Sequence, residues 1–231
     1  MTADVTIRPL TEIPEIGTGD DLAGLLGDAI ERAGGLAEGD IVVVAHKVVS
    51  KAEGRVEPDP GDGSLVEREA RAVRRRRGDL VIAETEHGFV CASAGVDRSN
   101  APGECLAVLL PHDPDASARG LRDALAARFG VAPAVIVSDS FGRAWRDGTT
   151  DVAIGVAGLA PLLDLRGQAD TRGRPLAATM IAVADELAGA SELVRGKALG
   201  IPAALIRGVR LPPGDGSARD LVMPRARDLF P

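Results

Sequence analysis

Ser138-Asp139-Ser140 carries the clearest chemical signal in the chain. A carboxylate between two hydroxyls suits a hard cation such as Mg²⁺. Arg143 and Arg146 follow, on either side of the only tryptophan, Trp145, and a fork of arginines suits phosphate or carboxylate. The apolar run 134–137 just upstream reads as a short buried strand. The triplet then falls in a turn at its carboxyl end, where open α/β sheets bind their ligands. An acidic loop with arginines paired to it for structure is the plainer alternative. Several ligand-competent types without an apolar face favour anion-plus-metal chemistry.

A second polar knot, Asp97-Arg98-Ser99-Asn100, follows another apolar stretch, 89–92. Asp97 and Asn100 face one ligand if the loop turns tightly, or they close a local Asx-turn. A third lies after Ile41–Ala45, where His46-Lys47 is followed by Ser50-Lys51. Two lysines four residues apart either grip phosphates or are merely solvated. Residues 74–77 are four consecutive arginines. They read as a solvated helix end favoured by the helix dipole, or as a docking surface for an anion.

The elements that must position these groups follow from apolar spacing. Residues 5–9 alternate as a first strand, and 13–17 form a turn. Leu22, Leu25, Leu26, Ala29, Ile30 and Ala33 recur at helical spacing, with Asp20 or Asp21 as N-cap and Gly34-Gly35 as the stop. Ile41–Ala45 is a central strand and 57–63 a loop. A capping box at 64–67 opens a helix expected to reach about residue 77. Leu80–Thr85 and residues 89–92 read as paired strands, 104–110 as a strand, and 117–129 as a helix capped by Gly130. Residues 152–159 suggest a bent strand or a close backbone approach, because Gly155 and Gly158 interrupt them. A polar loop or hairpin tip at 164–175 precedes a helix beginning near 179–183. That helix carries Ala184, Leu187, Ala188, Ser191 and Val194 on one face and ends at Gly196. A strand at 201–206 and a tail without a clear element, 211–231, complete the chain.

Composition narrows the function. The chain has 231 residues, 45% hydrophobic but only 2% aromatic, so aliphatic side chains must build the core. A net charge of −7 and the scarcity of aromatics argue against nucleic acid or membrane surfaces as partners. Cys91 and Cys105 are too few for a disulfide framework or a four-ligand zinc site, and both are expected as buried thiols. Neither a leader nor a membrane-spanning run is visible, which predicts a cytoplasmic protein. Phosphate loops of the G-x-x-x-x-G-K-[ST] kind, dinucleotide fingerprints, zinc-helix motifs and serine-hydrolase elbows are all missing. Residue chemistry alone therefore gives a metal- and phosphate-competent α/β protein whose site is assembled from strand-end loops.

The knots together resemble the F420 γ-glutamyl ligase family. The matching segments are Ile13-Pro14-Glu15-Ile16 before Gly19-Asp20-Asp21-Leu22, then His46 to Gly54, Ala94 to Asn100, Ser138 to Arg143, Asp151 to Gly155, and Gly196-Lys197 with Gly200-Ile201-Pro202. Order and spacing hold from about residue 8 to 208, within one domain spanning 1–231 and ending in a tail, 209–231. The resemblance implies an α+β, mixed α/β fold with mixed sheets and flanking helices. It implies a GTP-dependent ligase that joins L-glutamate to coenzyme F420-0, and to F420-1 in turn, through an acyl phosphate. It further implies two divalent ions, Mg²⁺ or Mn²⁺, allows K⁺, and predicts a homodimer acting on small molecules. Asp97 and Asp139 would share one metal and Ser140 would serve the second. Ile13, Pro14, Glu15, Ile16, His46, Lys51, Asn100 and Lys197 fall on the GTP side. Two positions depart from the family pattern: His46, where relatives carry Ser or Gln, and Lys197, where a Gln serves the second metal. A charged lysine has no lone pair to ligate with. Arg143, with Arg146 and Lys47, is expected to clamp anions, and Arg143 is counted with the catalytic aspartates. The rival readings are another metal-dependent ligase or phosphotransferase with a different acceptor, and a nucleotide-binding regulator without turnover.

Overall fold

Apolar runs too continuous to face water on either side set the centre of the fold. In a computed structural model, residues 4–211 and 214–228 are described. The elements in chain order are β1 (Thr6–Leu10), α1 (Leu22–Arg32), β2 (Ile41–Ala45), α2 (His46–Ala52), β3 (Val56–Pro58), α3 (Ser64–Glu69), β4 (Ala70–Arg77), β5 (Leu80–Thr85), β6 (Val90–Ala92), β7 (Leu106–Val108), α4 (Pro114–Phe129), β8 (Ala134–Arg143), β9 (Arg146–Ala157), β10 (Leu163–Asp164), β11 (Met180–Ile181), α5 (Val183–Arg195) and β12 (Ala203–Arg207).

The main sheet runs β1-β12-β2-β8-β9. Only β2 and β8 are parallel; the other three pairings are antiparallel. This is the mixed α+β architecture the sequence predicts. Val42, Val43 and Val44 on β2 and Val135, Ile136 and Val137 on β8 are wholly buried. Helices α4 and α5 both lie against β9, and α1 packs on α4. The helix ends follow local chemistry. Asp21 caps α1 by accepting from Gly24 N, and Asp113 caps α4 by accepting from Ala116 N. Pro114 at the first turn starts α4 earlier than residue 117, since its missing N–H costs nothing there.

Between α2 and α4 the chain makes a second, smaller layer. Strands β4-β5-β6 form one sheet and β3-β7 another. With α3 they enclose a separate cluster of Leu65, Val66, Val81, Ala83, Ala94, Val96, Ala107 and Leu109. Its entry and exit are clasped together: Leu109 N donates to Arg55 O (2.9 Å), and Arg55 Nε donates to Leu110 O (3.0 Å).

Several expectations are corrected. The helix from residue 64 stops at Glu69, and Ala70–Arg77 is a strand. No capping box forms, because Gly63 is the N-cap and the Ser64 hydroxyl donates to Asp62 instead. Pairing with β5 overrides the helix propensity of the arginines, so a helix dipole plays no part there. Arg74 and Arg76 pair with Glu84 and Glu67. Strand β8 continues through the polar triplet to Arg143, and the turn comes only at Ala144-Trp145. Other expectations hold: Met180–Ile181 pairs with Leu163–Asp164, so 165–179 is the expected hairpin tip, and α5 starts at Val183, within the expected range. Cys91 is buried, but Cys105 is exposed in the loop before β7; both thiols are free. The tail holds two 3₁₀ turns, Ala218–Leu221 and Arg225–Arg227, with Ala218 buried. Those parts of the expected tail at 212, 213 and 229–231 lie outside the described residues, as do residues 1–3 of the start. Among the described residues no helix is long and apolar enough to cross a membrane.

Gly155 bears out the expected close approach. The register passes from Val137↔Gly155 to Ser138↔Ala153, which bulges β9. A Cβ on Gly155 would sit 2.3 Å from Pro114 O.

Candidate active site

Register builds the site. Ala45 on β2 pairs with Ser138 on the parallel β8, so both strands reach the same edge together. The next residues, His46 and Asp139, are therefore neighbours: His46 Nε2 lies 3.2 Å from Asp139 Oδ1. The antiparallel β12 brings its beginning to that edge, where Ala45 N donates to Pro202 O (2.8 Å). The turn 13–16, the end of α5 and the loop 196–202 close the sides of a cleft of about 330 Å³.

Helix α2 starts at His46 and lifts two lysines along one face, because residues four apart are helical neighbours. Lys47 Nζ donates to Asp97 Oδ2 (2.8 Å) and to Ser99 Oγ (2.6 Å), tying the main sheet to the smaller layer. Lys51 Nζ, on a buried side chain, donates to Glu15 Oε1 (2.5 Å), whose own side chain is 75% exposed. Burial raises the cost of charge on Asp97, but the hydrogen bonds from Lys47 and Ser99 outweigh it and hold its carboxyl below the usual range. The Asx-turn considered for this knot is present, with Ser99 N donating to Asp97 Oδ1 (2.7 Å). It coexists with the Lys47 pair.

Beneath the cleft runs a buried polar network. Arg195 NH2 donates to Asp151 Oδ2 and, at 3.1 Å, to Ser138 Oγ. Ser138 Oγ donates to Asp151 Oδ2 (3.0 Å), and Ser140 Oγ donates to Asp151 Oδ1 (2.6 Å). The Ser140 hydroxyl spends its proton on Asp151 and keeps its lone pairs. Ser140 N also donates to Asp139 Oδ1 (2.7 Å). Burial, with a coulombic push from Asp139 added, raises the thiol of Cys91 to about 12, which disfavours the reactive thiolate.

Ile13, Pro14, Glu15, Ile16, His46, Lys51, Asn100, Asp139, Ser140 and Lys197 all line the cleft. Asp97 stands one residue back, joined to the lining through Lys47. Arg143 is not brought there: at the far end of the β8–β9 hairpin its guanidinium donates to Asp147 O (2.8 Å). Sequence reasoning passed over Arg195 and Glu192, and matched Asp151 to the family without giving it a role; all three also line the cleft. Arg195 carried a signal, since it stands four residues after Ser191 and seven after Ala188 on the buried face of α5. Val194, assigned to that face by spacing, is only half-buried.

Among the described residues no three His, Cys, Asp or Glu side chains converge on one point. One carboxylate and an adjacent hydroxyl with free lone pairs still fit a hard cation, which completes its shell with phosphate oxygens and water.

Comparison with known proteins gives the family. The sequence profile of the F420-0:γ-glutamyl ligase family matches residues 11–208. The coenzyme F420:L-glutamate ligase of Methanothermobacter thermautotrophicus is 44% identical, over 94% of this chain and 95% of that protein. Its namesake from Methanopyrus kandleri is 41% identical over 97% and 96%, and that from Haloarcula marismortui 40% over 84% of each. With most of its length matched and its cleft lined by the expected segments, the chain belongs to the F420-0:γ-glutamyl ligase family.

Proposed function

We propose that this chain joins L-glutamate through an amide bond to coenzyme F420-0, then F420-1, using GTP and releasing GDP and phosphate. The observation that carries this reading is one cleft lined by Asp139 and Ser140 together with Lys47, Lys51 and Lys197, in a chain whose relatives bear the name of that ligase.

A carboxylate is a poor acyl donor and must be activated. An oxygen of the F420-0 carboxylate attacks the γ-phosphorus, the bond from that phosphorus to the bridging oxygen of GDP breaks, and an acyl phosphate forms. The amine of glutamate then adds to the acyl carbon and loses a proton, and the carbon–oxygen bond to phosphate breaks. Mg²⁺ or Mn²⁺, when bound, neutralises charge on the transferring phosphoryl oxygens. Asp139 and Ser140 would hold it, with Asp97 nearby. Lys51 and Lys197 offer ammonium groups to phosphate oxygens, and on Lys51 a phosphate would take the place of the exposed Glu15 carboxylate. The pair with Asp97 keeps Lys47 aimed. Asp151, fixed by Arg195, orients the Ser140 hydroxyl. The functional unit is a homodimer in this reading, which light scattering checks.

The test follows product mass with F420-0, L-glutamate, GTP and Mn²⁺ or Mg²⁺. The expected gain is one or more glutamyl units, absent with EDTA and with Asp139→Asn. A folded protein that gives no gain under any nucleotide or metal overturns the assignment.

A further inference from the structure

The imidazole of His46 stands out in the cleft wall. It is 1% exposed and lines the cleft. Its Nε2 has no hydrogen-bond partner, although Asp139 Oδ1 is only 3.2 Å away. The two atoms are close but not aligned as donor and acceptor. A buried ring nitrogen left in that condition costs free energy unless something else meets it. On the other side of the ring, Nδ1 lies 3.5 Å from Ser50 Oγ one helical turn on. With the proton assigned to Nδ1, facing Ser50, Nε2 keeps a lone pair that no protein donor meets, beside the carboxylate of Asp139 in the cleft wall. Metal-ligating histidines are commonly oriented in this way, one nitrogen on the ion and the other on a nearby oxygen.

We propose that His46 Nε2 is a direct ligand of the divalent cation held by Asp139, so that the site binds through nitrogen and oxygen together. The inference rests on the metal reading of Asp139 given above. Two donors each about 2.1 Å from one ion stand about 3.0 Å apart at a right angle and about 3.4 Å apart at the tetrahedral angle. The observed separation of 3.2 Å falls between these. The arrangement follows from the register already described: Ala45 and Ser138 are paired, so the residues after them meet at the strand ends. An imidazole among oxygen donors changes the metal preference. All-oxygen sites suit Mg²⁺, whereas imidazole favours first-row transition ions in the order Mn²⁺, Co²⁺, Ni²⁺. This chain is therefore expected to discriminate against Mg²⁺ more strongly than an oxygen-only site would.

The experiment uses the full-length protein loaded with Mn²⁺, with and without GDP, and reads electron spin-echo modulation rather than turnover. The expected result is a ¹⁴N coupling on bound Mn²⁺ that changes to the ¹⁵N pattern when the protein is grown with ¹⁵N-histidine. That arm needs no variant. In His46→Gln, Mn²⁺ should remain bound with the coupling gone, and Co²⁺ affinity should fall at least about tenfold while Mg²⁺ affinity changes little, since the loss of even an outer-shell partner costs about 10–100-fold. Ser50→Ala should weaken Co²⁺ binding in the same direction. Bound Mn²⁺ without any histidine coupling in the unaltered protein overturns the ligand assignment but leaves a metal at Asp139; His46 would then be an ionic neighbour of that carboxylate. Mn²⁺ that fails to bind, or binds equally to Asp139→Asn, removes the metal reading and this inference with it.

Discussion

At the residue scale, opposed charges hold the cleft in shape. The carboxyl of Asp97 titrates below its usual range because Lys47 and Ser99 hydrogen-bond its ionised form against the cost of burial. Its contribution to stability is present above the unfolded value near 3.9 and is lost as pH falls through the lower folded value. Urea titrations should show Asp97→Asn less stable than the parent at pH 6, with the gap closing below about pH 4. Arg195 is the buried cation for Asp151, both side chains being almost fully enclosed. Arg195→Leu should cost about 3–5 kcal/mol in urea unfolding, because Asp151 is left charged and without its cation. Asp139, Ser140 and Lys51 were legible in the sequence as polar types just past apolar strands, and Lys197 only through the family resemblance. The network under them was not: nothing local in Asp151 or Arg195 says that they meet across 44 residues. Arg143 was readable as an anion clamp by type, yet side-chain type does not show that the hairpin carries it away from the cleft.

At the scale of elements, glycine discriminates sharply. Gly155 bulges beside the start of α4, where a Cβ would strike the carbonyl of Pro114. Gly155→Ala should therefore lose about 1–3 kcal/mol in thermal or urea unfolding. Gly120, exposed within α4 with nothing within 4 Å of an added Cβ, should behave oppositely; Gly120→Ala gains about 0.5–1 kcal/mol. Apolar periodicity located β2, β5, α1 and α4 well, since their burial is local to each segment. It failed at residues 70–77, where arginines favour a helix in isolation and only the partner strand β5 makes them extended. The extension of β8 past Val137 was hidden for the same reason: its polar end is held by β9, not by its own composition.

At the scale of the molecule, two hydrophobic clusters share one chain, and the cleft takes Asp139, His46 and Lys51 from the first and Asn100 from beside the second. Hydrogen exchange should separate them. The amides of Ile41–Ala45, buried between β8 and β12, should be the slowest, and the edge strand β4 among the fastest. Across the seam between the two layers, Phe89 packs edge-on against Phe141, and Lys47, Asp97 and Ser99 are a polar stitch. The clasp of Arg55 on Leu109 and Leu110 gives that layout a consequence for descent. Because the chain leaves and re-enters the large sheet at one point, the intervening cassette is free to lengthen, shorten or be exchanged without rethreading a single strand. The strand that carries Asp139 and the helix that carries Lys47 and Lys51 can thus be inherited intact while the cassette changes around its fixed points, Asp97, Ser99 and Asn100.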